Sequence, residues 1–191
     1  MDNARVAGLV KLAKAAGRLK RIERTGWAQR FLPHESVADH TYRTAMLTSL
    51  ICDIFDLPVD HAKAVKMALV HDLGEAFIGD WEASSTKVLG KSLKHEIEGK
   101  AVENILSALQ PDRAARYMEL WRECADSKTL EARLVKLADK LDALIQAKEM
   151  EEAGVCVNVY EDFKNEISPE VFGVELSGVY SAILKSLVDS D

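Results

Sequence analysis

The sequence predicts an all-α protein, a single domain of about seven or eight helices. Three observations carry this. Apolar residues recur at steps of three and four through most of the 191 residues. Only 4 Pro and 10 Gly punctuate the chain, fewer than a turn-rich β fold uses. No run of alternating Val, Ile, Thr and aromatic residues reads as a strand.

The elements follow in order. Val6, Leu9, Val10, Ala13, Ala16, Leu19 and Ile22 form the apolar stripe of a first helix. Thr25 to Glu35 holds Gly26 and Pro33 and reads as a loop. Ser36-Val37-Ala38-Asp39 resembles a capping box, with Asp in place of the usual Glu, and opens a second helix that runs to about Phe55. Pro58 and Asp60 start a third helix through Leu73. Gly79 to Gly90, with Ser84-Ser85-Thr86, reads as another loop. Further helices are expected near 92–109, 112–125, 128–152 and 169–188, the last opened by Ser168 with Pro169 at the first helical position. No repeat, low-complexity tract or linker divides the chain, so residues 1–191 are expected to form one domain.

Composition narrows the function classes. With 48% hydrophobic and 29% charged residues, the chain can build a packed core. The net charge, 25 − 31 = −6, argues against sequence-independent binding to a nucleic acid, whose affinity comes from neutralised phosphates. A small phosphate ligand held by one or two local cations is compatible with that balance. Cys52, Cys124 and Cys156 form no CxxC pair, so a disulfide framework is not expected and a reduced, cytoplasmic setting is. The N-terminus lacks the apolar run of a signal peptide, and no stretch approaches the roughly 20 apolar residues of a membrane span.

The chemistry-bearing residues gather in a few places. Ala64, Ala68, His71, Asp72 and Glu75 share one face of the third helix, so an apolar stripe ends on three ionisable groups beside Gly74. Buried there, such groups need partners or a metal. The alternative is a solvated helix end. His40 sits in the first turn after the Ser36 cap. In Val135-Lys136-Leu137-Ala138-Asp139-Lys140-Leu141-Asp142, either acid can point inward from the apolar stripe, or both can belong to a surface salt-bridge network. His40, His71, Asp72 and Asp139 together offer two imidazoles and two carboxylates from three helices. That nitrogen and oxygen set suits a divalent ion such as Mn²⁺, Co²⁺, Fe²⁺, Ni²⁺, Zn²⁺ or Mg²⁺. His34 reads as a loop histidine, and His61 and His95 as surface residues at helix starts. Lys94 to Glu98 reads as a solvated helix face.

The order His … His-Asp … Asp on helices is similar to that of the HD-domain metal-dependent phosphohydrolases. Four blocks in order, Leu19 to Trp27, Glu35 to Thr41, His71 to Asp80 and Lys136 to Leu144, resemble the 5′-deoxynucleotidase branch and span about residues 19–150. The resemblance implies an HD-type helical bundle binding one divalent ion through His40, His71, Asp72 and Asp139, with Asp139 preferred over Asp142. It implies that Glu75 acts on the attacking water or leaving oxygen, that Asp80 lies near the sugar, and that Arg24 orients the phosphate. Trp27 lies near the place of a Trp that screens the sugar 2′ position, although Thr25-Gly26 separate it from Arg24. After Asp80, where the family carries a Pro, this chain has Trp81-Glu82-Ala83.

The implied activity is hydrolysis of nucleoside 5′-monophosphates, foremost deoxyribonucleotides, by a homodimer. Two other readings stay open: an HD-type phosphohydrolase for a cyclic nucleotide, a di- or triphosphate or guanosine tetraphosphate, and a helical regulatory module without catalysis.

Overall fold

The computed structural model describes residues 3–189 apart from 31, 34 and 82. His34 therefore lies outside the described residues. The described chain is all-α, with eleven α-helical segments, two 3₁₀ turns and an isolated bridge between Glu23 and Ser36. Seven segments have ten residues or more: α1 (Asn3–Ala16), α3 (Val37–Ile54), α4 (His61–Val70), α7 (Lys91–Leu106), α8 (Pro111–Asp126), α9 (Leu130–Glu152) and α11 (Val174–Asp189). The other four are short: α2 (Thr25–Ala28), α5 (Glu75–Ile78), α6 (Ala83–Leu89) and α10 (Val159–Asn165). They account for the excess over the seven or eight expected, because a segment of one or two turns shows no readable period.

Several boundaries differ from the sequence reading, each for a local reason. The first helix tightens into a 3₁₀ turn at Gly17–Arg21. The third helix ends at Val70 rather than Leu73. Beyond it Leu73 N–H donates to Val70 C=O at 3.1 Å and Glu75 N–H to Asp72 C=O at 3.0 Å, so the chain tightens and bends at His71-Asp72 before α5. The two expected loops carry α2 and α6. Ser and Thr are only mildly poor helix formers, and Gly90 at φ +85° supplies the stop after α6. The stretch 169–188 is a 3₁₀ turn, Pro169–Phe172, broken from α11 by Gly173 at φ +78°. Ser168 does not cap the backbone there; its hydroxyl bonds the Glu170 carboxylate.

The Ser36 box holds as read: Asp39 N–H donates to Ser36 Oγ at 3.2 Å, and Ser36 N–H donates to Asp39 Oδ2 at 3.0 Å. It fixes where α3 begins and therefore where His40 stands.

The long helix α9 is the axis of the molecule. Its Leu134, Leu137, Ala138, Leu141, Leu144 and Ala147 are fully buried. On one side it packs with α3, α10 and α11 around Trp27, Phe172 and Leu176. A second cluster joins α1, α5, α7 and α8 around Val37, Val102, Leu106 and Trp121. A small third cluster, with Ala45, Met67, Ala68, Ala132 and Val135, ties α3, α4 and α9 together. Thr41 and Thr48 in α3 satisfy their hydroxyls on the carbonyls of Val37 and Thr44, at 2.7 and 2.8 Å, so both are buried without unmet donors. The functional cleft opens where α3, the α4–α5 bend and α9 meet.

Helix α1 crosses the end of α7 at Gly8. A Cβ on Gly8 would lie 2.2 Å from the Ala108 carbonyl oxygen, well inside contact distance. Gly8→Ala is expected to cost about 1–3 kcal/mol and to lower Tm by several degrees in a thermal melt. An unchanged Tm would mean that α1 is not held where the structure places it.

Candidate metal centre

Three elements deliver the central donors. His40 comes from the first turn of α3, His71 and Asp72 from the α4–α5 bend, and Asp139 from the middle of α9. His40 Nε2 lies 3.3 Å from His71 Nε2, 3.5 Å from Asp72 Oδ2 and 3.4 Å from Asp139 Oδ1. His71 Nε2 is 3.1 Å from Asp72 Oδ2. Donor atoms of His40, His71 and Asp72 all fall within 4.8 Å of one another. The structure thus brings together all four residues that the resemblance put forward as ligands.

The ring orientations suit a cation. His71 Nδ1 is 2.7 Å from the Ala68 carbonyl oxygen, a pure acceptor, so Nδ1–H donates there and Nε2 faces the centre. Trp121 Nε1–H donates to the His71 carbonyl at 3.2 Å and steadies the bend from α8. His40 Nδ1 is 2.6 Å from Asp142 Oδ2, on the side away from the centre. A nitrogen and oxygen donor set with both second ring nitrogens occupied fits a divalent ion of the Mn²⁺ to Zn²⁺ series.

The electrostatics are those of a crowded buried acid cluster. Burial alone would raise Asp72, but the His71 and His40 rings and Arg24 hold its carboxyl well below the usual range. Asp139 is buried and is held low by Lys140, Lys136 and His40, with Lys136 Nζ at 3.2 Å and Lys140 Nζ at 3.4 Å. Burial and the Arg24 charge favour neutral His40, yet Asp139, Asp142 and Asp72 prevail and raise it to about 9. Glu75 is buried, its Oε2 has no hydrogen-bond partner, and burial with the Asp72 and Asp80 charges pushes it up to about 11.

Arg24 is fixed from three directions. Its Nη1 lies 3.8 Å from Asp72 Oδ2. Its backbone N–H donates to the Glu35 carbonyl at 3.1 Å, beside the Val37 N–H to Ile22 carbonyl bond of 2.8 Å. Asp80 then caps α2 from 55 residues away, accepting Thr25 N–H at 2.8 Å and Thr25 Oγ–H at 3.1 Å. Burial opposes the Arg24 charge, but Asp72, Asp139, Asp80 and Glu75 outweigh it and keep the guanidinium protonated. Trp27 is only 1% exposed and packs on Phe163 with ring centroids 4.6 Å apart, the packing role that its sequence position also allowed.

The cleft has two lobes that share Asp72, Glu75 and Asp139. One, of about 660 Å³, runs along Arg24, Gln29, Asp80, Trp81, Lys87 and Lys140. The other, of about 590 Å³, lies against α7 and α8 at His71, Lys91, His95, Cys124 and Ser127. Lys94 and Glu98 line this second lobe too, 3.5 Å apart, and His95 stacks on Trp121 at 5.1 Å. The Lys94–Glu98 segment is therefore a cleft wall on one side, not a wholly solvated face. Arg43 had no place in the sequence reading, and Asp142 stood there only as the alternative to Asp139. Their signal was an acid one turn after Asp139 and an Arg one turn after His40, a spacing shared by many surface pairs.

Residues 16–171 match the model of the family described as HD domain. The chain belongs to the HD-domain family. A 5′-deoxynucleotidase of Dictyostelium discoideum is 38% identical over 154 residues, covering 76% of this HD-domain chain and 79% of that one. A solved structure of a conserved hypothetical protein from Pyrococcus furiosus is 39% identical, with TM-score 0.78 over 94% of this chain and 99% of that chain. A predicted metal-dependent phosphohydrolase from Magnetospirillum magnetotacticum, also of known structure, is 26% identical, with TM-score 0.71 over 97% of this chain and 94% of that one.

Proposed function

We propose that this HD-domain protein is a phosphomonoesterase that hydrolyses nucleoside 5′-monophosphates, deoxyribonucleotides foremost, to nucleoside and phosphate. The observation that carries it is the convergence of His40 Nε2, His71 Nε2, Asp72 and Asp139 within 3.5 Å steps beside the half-buried Arg24. The likeness to 5′-deoxynucleotidases supports the same reading. His40, His71, Asp72 and Asp139 would hold one divalent ion. When bound, that ion supplies an activated water at neutral pH and a Lewis acid for the phosphoryl group.

The chain's own residues then divide the work. Arg24 offers a planar, permanently charged donor pair to the phosphate oxygens and offsets charge that builds on them. Lys91 and Lys94 line both lobes and add positive charge around the substrate. Glu75, protonated at neutral pH, gives its proton to the leaving 5′ oxygen. Asp80 keeps the Arg24 turn in place through Thr25 and stands at the sugar end of the lobe. Trp27 shapes the wall of that lobe from within the core. Phosphate release from a panel of deoxyribo- and ribonucleoside monophosphates with Mn²⁺ or Co²⁺ tests this. No release from any of them, with the ion bound, would defeat it.

Metal binding should depend on pH with a defined sign. His40 must give up its Nε2 proton to become a ligand, and its neighbours raise it to about 9. Apparent Mn²⁺ affinity is therefore expected to rise about tenfold per pH unit up to roughly pH 9 and then level off. Calorimetric titration across pH 6.5–9.5 should also show proton release. A flat profile would mean that His40 is not a ligand.

The finer assignments are a cytoplasmic setting and a homodimer. All three cysteines are free, and no helix among the described residues is long and apolar enough to cross a membrane. Tyr42, Met46, Leu50 and Ile54 form an exposed apolar stripe at four-residue steps along α3, which suits contact with a second copy. A light-scattering mass of one chain would contradict the dimer.

A further inference from the structure

Behind His40, on the face turned away from the cleft, lies a charge pair, a buried carboxylate and a partly exposed arginine, that the reaction does not use directly. Asp142 is fully buried, and its two oxygens are divided between two partners. Oδ2 is 2.6 Å from His40 Nδ1, and Oδ1 accepts from Arg43 Nε. The remaining Arg43 nitrogens are also spoken for. Nη1 donates to Glu149 Oε2 at 2.8 Å, and Nη2 donates to Gln146 Oε1 at 2.7 Å and faces Glu35 Oε2 at 3.8 Å.

The two histidines solve one problem by different means. A neutral imidazole has two tautomers, and only the one protonated at Nδ1 turns an Nε2 lone pair to the centre. His71 is locked by a neutral backbone carbonyl. His40 is locked by a carboxylate, whose charge in the interior needs compensation. Glu35, His40 and Asp142 offer donor atoms within 4.8 Å of one another, as a cation site would. The Arg43 guanidinium is already the cation on that cluster.

We propose that Asp142 and Arg43 are positioning residues: Asp142 accepts from His40 Nδ1 and so aims Nε2 at the metal centre, and Arg43 holds Asp142 in place through its second oxygen. This rests on the metal reading above, not on the identity of the substrate. The expectation is specific. Loss of either residue weakens the ion, and the nucleotide keeps its own contacts at Arg24.

The test uses the full chain stripped of metal. Mn²⁺ dissociation constants come from competition with a fluorescent chelator, and the His40 tautomer comes from ¹⁵N imidazole NMR at about pH 10, above the value near 9 at which the metal-free ring loses its second proton. In Asp142→Ala the Mn²⁺ Kd is expected to rise about 10–100-fold, and the His40 signal to change from one tautomer to a mixture. At saturating Mn²⁺, kcat should fall while KM stays within about twofold of wild type. Arg43→Met should move Kd in the same direction, and Arg43→Lys should recover part of the loss by returning a positive charge to Asp142. Arg43 is a quarter exposed, so its variants carry the test if Asp142→Ala does not fold. An unchanged Kd and an unchanged tautomer in a folded variant overturn the proposal, as does a wild-type chain that binds no Mn²⁺. A wild type that binds Mn²⁺ yet hydrolyses no nucleotide overturns the substrate reading and leaves the Kd comparison to decide this one.

Discussion

Asp72→Ala is expected to leave a folded protein that retains no stoichiometric Mn²⁺ and loses about three orders of magnitude in kcat. The reason is that Asp72 is the residue on which the other groups converge. One of its oxygens, Oδ2, sits 3.1 Å from His71 Nε2, 3.5 Å from His40 Nε2 and 3.8 Å from Arg24 Nη1. Removing it takes away a ligand and the charge that aligns Arg24 with the same point. Three decades in rate correspond to about 4 kcal/mol of lost transition-state stabilisation, within the several kcal/mol that a metal ion supplies. Metal analysis of the dialysed variant and a single-turnover assay check this together. Activity within tenfold of wild type, with metal retained, would remove Asp72 from the centre.

Glu75→Gln is expected to lower kcat by about 10²- to 10⁴-fold while Mn²⁺ affinity and Tm stay close to wild type. Glutamine keeps the shape and the burial but has no proton to release. In the native chain, burial and the charges of Asp72 and Asp80 push Glu75 up to about 11, so it holds its proton at neutral pH. The sign follows. A general acid works below its pKa, so wild-type kcat should fall on the alkaline side as Glu75 ionises. The weak residual activity of the glutamine variant should lack that descending limb. A variant that keeps the limb, or full activity, would assign the proton to another group.

Much of the site was legible before any coordinates. The Ser36 to Asp39 box set the start of α3, and with it the position of His40 in the first turn. Four ordered blocks pointed to His40, His71, Asp72 and Asp139 as one set, and all four converge. What spacing left open was direction. Asp139 and Asp142 lie three apart on α9, one face of one helix, and the sequence offered them as alternatives. Both in fact point inward, to opposite sides of the same imidazole. Trp27 and Asp80 show the same limit. Both line the lobe beside Arg24, but spacing could not give their contacts: the indole packs on Phe163 and the carboxylate bonds Thr25.

The helical period, the caps and the order of the His and Asp blocks belong to the chain alone, because local hydrogen bonding and the burial of an apolar stripe act over a few residues. Which oxygen faces which nitrogen of His40, and that Arg43 reaches Asp142 from its other side, were settled only in three dimensions. Those properties depend on distances between residues about 100 positions apart in sequence and on how completely α9 excludes water from between them.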